Sequence, residues 1–153
     1  MPGTKNEIIA AISEAFKNVT LEDGIGLSEA NAIDEYRDLQ FREACRKNDE
    51  QFSWNTISSD LLNHYYCSLH FFDAKGMRFH LPAYLIADLN DEYRFGMVFT
   101  LAHLSDYTKS QFELLTGDQR NAVKLFLEFL LEHPDYDFEK PEIKSAIENY
   151  WSA

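Results

Sequence analysis

The sequence predicts a mainly α, compact single-domain globule of six or seven helices with one short β-hairpin or irregular ribbon near residues 69 to 81. Three observations carry this expectation. Apolar residues recur at three- and four-residue spacing through most of the chain, as in helices that lay one stripe on a core. Thr116 and Gln119 stand at capping-box spacing, ahead of an apolar arc that Pro134 stops. Asp73-Ala74-Lys75-Gly76 carries turn chemistry between two aromatic-rich runs.

The first helix covers residues 6 to 19, with Ile8, Ile9, Ile12, Ala15, Phe16 and Val19 on its apolar stripe. A two-glycine loop around Gly24 and Gly26 follows, and Ser28 is the expected N-cap of a helix from Glu29 to Asp38 or Cys45. Thr56 or Ser58 caps a short helix that turns Ile57, Leu61, Leu62 and Tyr65 inward. The period then changes, and the ribbon centred on Ala74 and Lys75 follows. Pro82, suited to a first helical turn, opens an apolar helix from Ala83 to Leu89.

Glu92 to Leu104 reads as another helix with Phe95, Val98, Phe99, Leu101, Ala102 and Leu104 in the core, weakened by Gly96. Residues 105 to 115 read as a turn-rich connector. The capped helix from Thr116 has so wide an apolar arc that it is expected to be the central helix, touching neighbours on more than one side. An acidic linker, Asp135 to Lys140, leads to a last helix that starts at Pro141 and docks through Tyr150 and Trp151.

A chain of 153 residues buries roughly 68–70% of the surface its unfolded form exposes, enough for a core without disulfides or metals. Its 12 Phe, 8 Tyr and 2 Trp supply the apolar area and argue against disorder. Cys45 and Cys67 match no metal or redox spacing, and no basic-plus-apolar leader opens the chain, so the expected setting is a reducing cytoplasm. No run approaches a membrane span.

The net charge is −12, from 26 acids and 14 bases, and it divides evenly as −6 on residues 1 to 76 and −6 on residues 77 to 153. This field disfavours nucleic acid and anionic lipid and steers the protein toward basic partners. The acids Asp88, Asp91 and Glu92, with Asp135, Asp137, Glu139 and Glu142, are the candidate interface.

Five histidines, His64, His70, His80, His103 and His133, lack the i, i+4 spacing of a helical zinc pair. His70 and His80 face each other across the expected ribbon, which gives two ligands at most. No metal and no cofactor is expected. Asp73, Arg78 and His80 gather on the same ribbon as an acid, a cation and a group suited to proton transfer, without a motif that sets a nucleophile beside them. They are the weak catalytic candidates of an alternative reading, a small hydrolase-like or ligand-binding enzyme.

Ile8 to Phe16, the loop-helix junction from Gly24 to Ala30, and Asp34-Glu35-Tyr36 form a shared pattern. Its most specific pieces are Arg78 to Leu85 and Leu114 to Val123 with Phe126-Leu127. On these residues the chain resembles an uncharacterised bacterial family of small proteins of unknown function. In that family a proline often follows the capping threonine, where this chain has Gly117. The resemblance implies a mainly helical domain and carries no catalytic residue over.

The expectation is therefore a non-enzymatic acidic protein, monomeric or homodimeric, that engages a basic protein partner, as an immunity-type inhibitor or as a regulatory interaction domain.

Overall fold

The computed structural model describes residues 3–152. Among them lie nine α-helices and no strand. In chain order they are α1 Lys5–Ala15, α2 Leu27–Asp34, α3 Leu39–Asn48, α4 Ser59–His64, α5 Ala74–Leu89, α6 Val98–Ala102, α7 Asp106–Gln111, α8 Gly117–Leu131 and α9 Lys140–Ala146. Three 3₁₀ turns, Trp54–Thr56, Tyr66–His70 and Pro134–Tyr136, and a π turn, Ile147–Trp151, join or extend them.

Helix α5 is the axis of the fold, with twelve of its 16 residues buried. Around it, α1 packs on α5 and α8, α7 covers another side, and α9 closes the far end against α6 and α8. Helices α2 and α3 pair with each other, and α2 sits on the Tyr66–His70 turn. The buried apolar side chains of these elements form one continuous cluster.

The expected β-hairpin is not present. Residues 74 to 89 are one helix, and Asp73 is its N-cap, accepting the Gly76 N–H at 2.8 Å and the Ile25 N–H at 3.0 Å. A carboxylate that accepts the amide three residues on serves a turn and a helix start equally, so the local chemistry does not separate them. Gly76 takes no left-handed conformation. It is needed because a Cβ there would lie 2.6 Å from the Ile25 carbonyl, where the 20–26 loop crosses the first turn of α5.

Pro82 is mid-helix rather than at a start. An interior proline costs about 3 kcal/mol and deprives the Arg78 carbonyl of its i+4 donor. Burial of Met77, Phe79, Leu81, Tyr84 and Leu85 offsets that cost.

The helix expected from Glu29 onward is two helices. Gly26, not Ser28, is the N-cap of α2, and the carboxylate of Asp49 supplies the side-chain acceptor from outside the helix. It takes the amides of Ser28 and Glu29 at 2.9–3.0 Å and the Ser28 hydroxyl at 2.6 Å. A Cβ at Gly26 would stand 2.4 Å from that carboxylate. The chain turns out of α2 at Tyr36, whose φ of 57° lies in the left-handed region that bulky residues seldom occupy.

Short helices leave many terminal carbonyls to satisfy, and buried side chains answer. Trp54 Nε1 donates to Phe16 O at 3.0 Å, and Gln119 Nε2 donates to Ala15 O at 3.1 Å, closing the end of α1. Gln111 Nε2 donates to Leu69 O and Phe72 O, each at 2.9 Å. Trp54 and Trp151, 8% and 2% exposed, are both core residues.

The capping box at Thr116 and Gln119 and the proline start of α9 are as expected. Among the described residues no helix is long and apolar enough to cross a membrane.

Candidate functional site

The segment from Asn90 to Met97 leaves the end of α5 as an irregular loop and is held at two points. Asn63, itself buried, donates to the Glu92 carbonyl at 2.8 Å and accepts the Arg94 amide at 2.8 Å. Asp88, on the last turn of α5, accepts the Met97 amide at 2.9 Å. Within the loop, Asp91 and Gly96 take φ of 58° and 68°. Such positive φ values let the chain double back within a few residues.

This loop forms one wall of a cleft of about 550 Å³. The start of α6 continues that wall, and the Pro134–Tyr136 turn with the beginning of α9 forms the other. Carboxylates stand on both sides, Asp88 and Asp91 on one and Glu139 and Glu142 on the other. Between them lie aromatic rings that the core leaves uncovered. Phe138 is 92% exposed, Phe99 62% and Phe95 51%. Phe95 is stiffened by stacking on Tyr66 at 4.0 Å between ring centres, and Phe99 by stacking on His103 at 4.4 Å. His103 Nε2 meets Glu142 Oε2 at 2.8 Å. Arg94 also lines the wall, its guanidinium 5.8 Å from the Phe95 ring centre.

The field inside the cleft follows from burial. Asp88 is only 8% exposed, and loss of water raises its carboxyl to a pKa of about 6, a rise that its bond to the Met97 amide opposes and that nearby Asp91 reinforces. Burial, with the surrounding carboxylates, pushes the Tyr136 phenol up to about 12, and burial first and then Asp88 raises that of Tyr93 as well. The shifts of Asp88, Tyr93 and Tyr136 all report a place short of water and near negative charge.

Of the acids expected to form an interface, Asp88 and Asp91 line the cleft together with Glu139 and Glu142. Asp88 belongs to the wall rather than to a displayed surface, because its carboxylate has been drawn in to hold the loop. Glu92 faces a neighbouring groove with Trp54 and Ile86. Asp135 and Asp137 are exposed outside the cleft, Asp137 paired with Lys140 at 2.9 Å and Asp135 beside His133 at 3.7 Å.

The other candidates do not converge. Asp73 is committed to the amides of Ile25 and Gly76, and Arg78 pairs with Glu22 across the 20–26 loop. His80 is fully buried, stacked on Phe72 at 4.3 Å with Nδ1 2.7 Å from the Gly76 carbonyl. Burial lowers its pKa to about 4. His70 is exposed at the end of the Tyr66–His70 turn and does not face His80 across any ribbon. No group of three His, Cys, Asp or Glu side chains suited to a metal ion occurs among the described residues.

Sequence reasoning missed the aromatic half of the site. Phe95 and Phe99 sit four residues apart, which reads as the core face of a helix, yet α6 begins only at Val98 and buries Leu101 alone. The available signal was Asn90-Asp91 with Gly96, the loop chemistry that interrupts the segment.

The described residues form an all-helical fold with an acidic cleft walled by exposed phenyl rings. The chain belongs to a family of unknown function, DUF6714, which matches residues 4–153. No curated protein and no solved structure matches it.

Proposed function

We propose that this protein is a non-enzymatic binding module of the cytoplasm whose acidic cleft receives basic side chains of a protein partner. The observation that carries the reading is the convergence of two acidic stretches, far apart in the chain, on one cleft whose phenyl rings face outward. Rings left exposed beside carboxylates suit a cation on an apolar stem, which gains from the ring faces and from the charge at once. Inhibition of that partner, as by an immunity protein, is the concrete form of the reading. A regulatory docking role without inhibition uses the same surface.

The test uses the purified chain as bait in native lysate beside a charge-reversed form, Asp91→Lys with Glu142→Lys. A basic protein retained in stoichiometric amount by the first, released by moderate salt and not retained by the second supports the reading. Equal retention by both removes the cleft from it. Addition of the bait to the recovered partner's own activity then separates inhibition from docking.

A further inference from the structure

Resting on the reading of the cleft as a site for basic side chains, we infer that it selects the planar guanidinium of arginine over the ammonium of lysine. Four features of the geometry support this.

The carboxylates stand on opposing walls rather than around one point, and no three of them are placed to hold a single ion among the described residues. A compact ammonium therefore meets one wall at a time. A guanidinium presents five donors in a rigid fork along its edge and a flat face above and below. Its edge can reach carboxylates while its face lies on Phe95, Phe99 or Phe138.

Two acceptors of the cleft, one on each wall, lack donors. Oε2 of Glu139 is sealed from solvent without a hydrogen-bond partner. Asp88, more than nine-tenths buried, uses Oδ2 for Met97 while no described residue donates to its Oδ1. Carboxylates short of water and of donors gain most from a ligand rich in N–H groups.

The cavity is also too large for a bare ion, at about 550 Å³, and lies within the usual range for an organic group. Finally, the chain's own Arg94 already lies toward Phe95 at the edge of the cleft without an acid within ion-pair distance among the described residues. The site thus holds a guanidinium against a ring at its margin and leaves its inner carboxylates for another.

The experiment is a titration of ¹⁵N-labelled protein with two blocked glycine peptides that differ only in carrying arginines or lysines. The arginine peptide is expected to shift the amides of Gly96 and Met97 and to bind at least about fivefold more tightly than the lysine peptide. In Glu139→Gln with Glu142→Gln, whose amide spectrum elsewhere reports intact folding, that preference should disappear.

Equal affinity of the two peptides for the natural protein overturns the arginine inference and leaves the basic-partner reading standing. Absence of shifts with either peptide overturns both. A preference that survives the double variant moves the selectivity out of this cleft and also overturns the inference.

Discussion

The Met97 backbone amide donates to the buried carboxylate of Asp88 at 2.9 Å, and this contact shapes the wall of the cleft while supporting a charge that burial opposes. The folded state raises the pKa of Asp88 to about 6 from an ordinary 3.8. A raised folded pKa favours the protonated form, so its contribution to stability is fully present below pH 3.8 and is lost as pH rises through 6. At neutral pH the ionised carboxylate is a cost. Asp88→Asn keeps an oxygen for Met97 and removes the charge, and is expected to stabilise the fold at pH 7.5 by roughly 2 kcal/mol. The gain should shrink toward zero near pH 4. Urea denaturation at the two pH values measures it, and destabilisation at both would show that the amide contact outweighs the buried charge.

His80, two turns earlier on the same helix, has the opposite sign. Its folded pKa of about 4 lies below the ordinary 6.5 because burial penalises the imidazolium, outweighing the help of the Gly76 carbonyl. Stability from the neutral ring is complete above pH 6.5 and is lost as pH falls toward 4, by up to roughly 3 kcal/mol. Between pH 4 and 6 the two slopes oppose each other, and the natural protein is expected to show a shallow profile there. His80→Phe, which retains an aromatic ring against Phe72, should lose about 1 kcal/mol at pH 7 with the Gly76 contact. It should then gain stability on acidification between pH 6 and 4 as Asp88 takes up its proton. Denaturation midpoints across this range decide the point, and a falling profile in His80→Phe would place the acid sensitivity on another residue.

The elements legible in the sequence are those whose signals are local. The capping box of α8 and the proline start of α9 required only residues within one turn of each other. Helix α5 was hidden because it is apolar on nearly every face, so neither a period of 3.6 nor a period of 2 stands out, and its capping Asp73 imitates a turn. The break between α2 and α3 rests on a left-handed Tyr36, which no composition announces. At the cleft the acids were legible one by one. Their meeting was not, because it depends on the Asn63 and Asp88 bonds that fold the 90–97 loop toward α9.

Two glycines on helix first turns should respond oppositely to substitution. Gly76→Ala improves helix propensity by about 1 kcal/mol, yet its Cβ would stand 2.6 Å from the Ile25 carbonyl. Net destabilisation is expected, because the obstacle is backbone rather than a movable side chain. Gly117 opens α8 with nothing within 4 Å of a Cβ. Gly117→Pro fits the first helical position, restricts the unfolded chain and should stabilise by about 0.5–1 kcal/mol. Thermal melts of the two variants test both, and stabilisation by Gly76→Ala would mean that the 20–26 loop yields.

Trp151 donates its indole N–H to the Leu101 carbonyl at 3.0 Å from a site that is 2% exposed, which couples the terminal turn to the end of α6. Trp151→Phe retains an aromatic ring beside Phe112 but strands that carbonyl, at a cost of roughly 1–3 kcal/mol, and leaves part of the indole volume empty. Because α6 supplies Val98, Phe99 and, just past its end, His103 to the cleft, the effect should reach beyond global stability. Amide exchange in residues 98–103 is expected to quicken more than exchange in α1, which lies on the other side of α8. A uniform increase would show that the indole stabilises the fold as a whole and does not hold the wall of the site in particular.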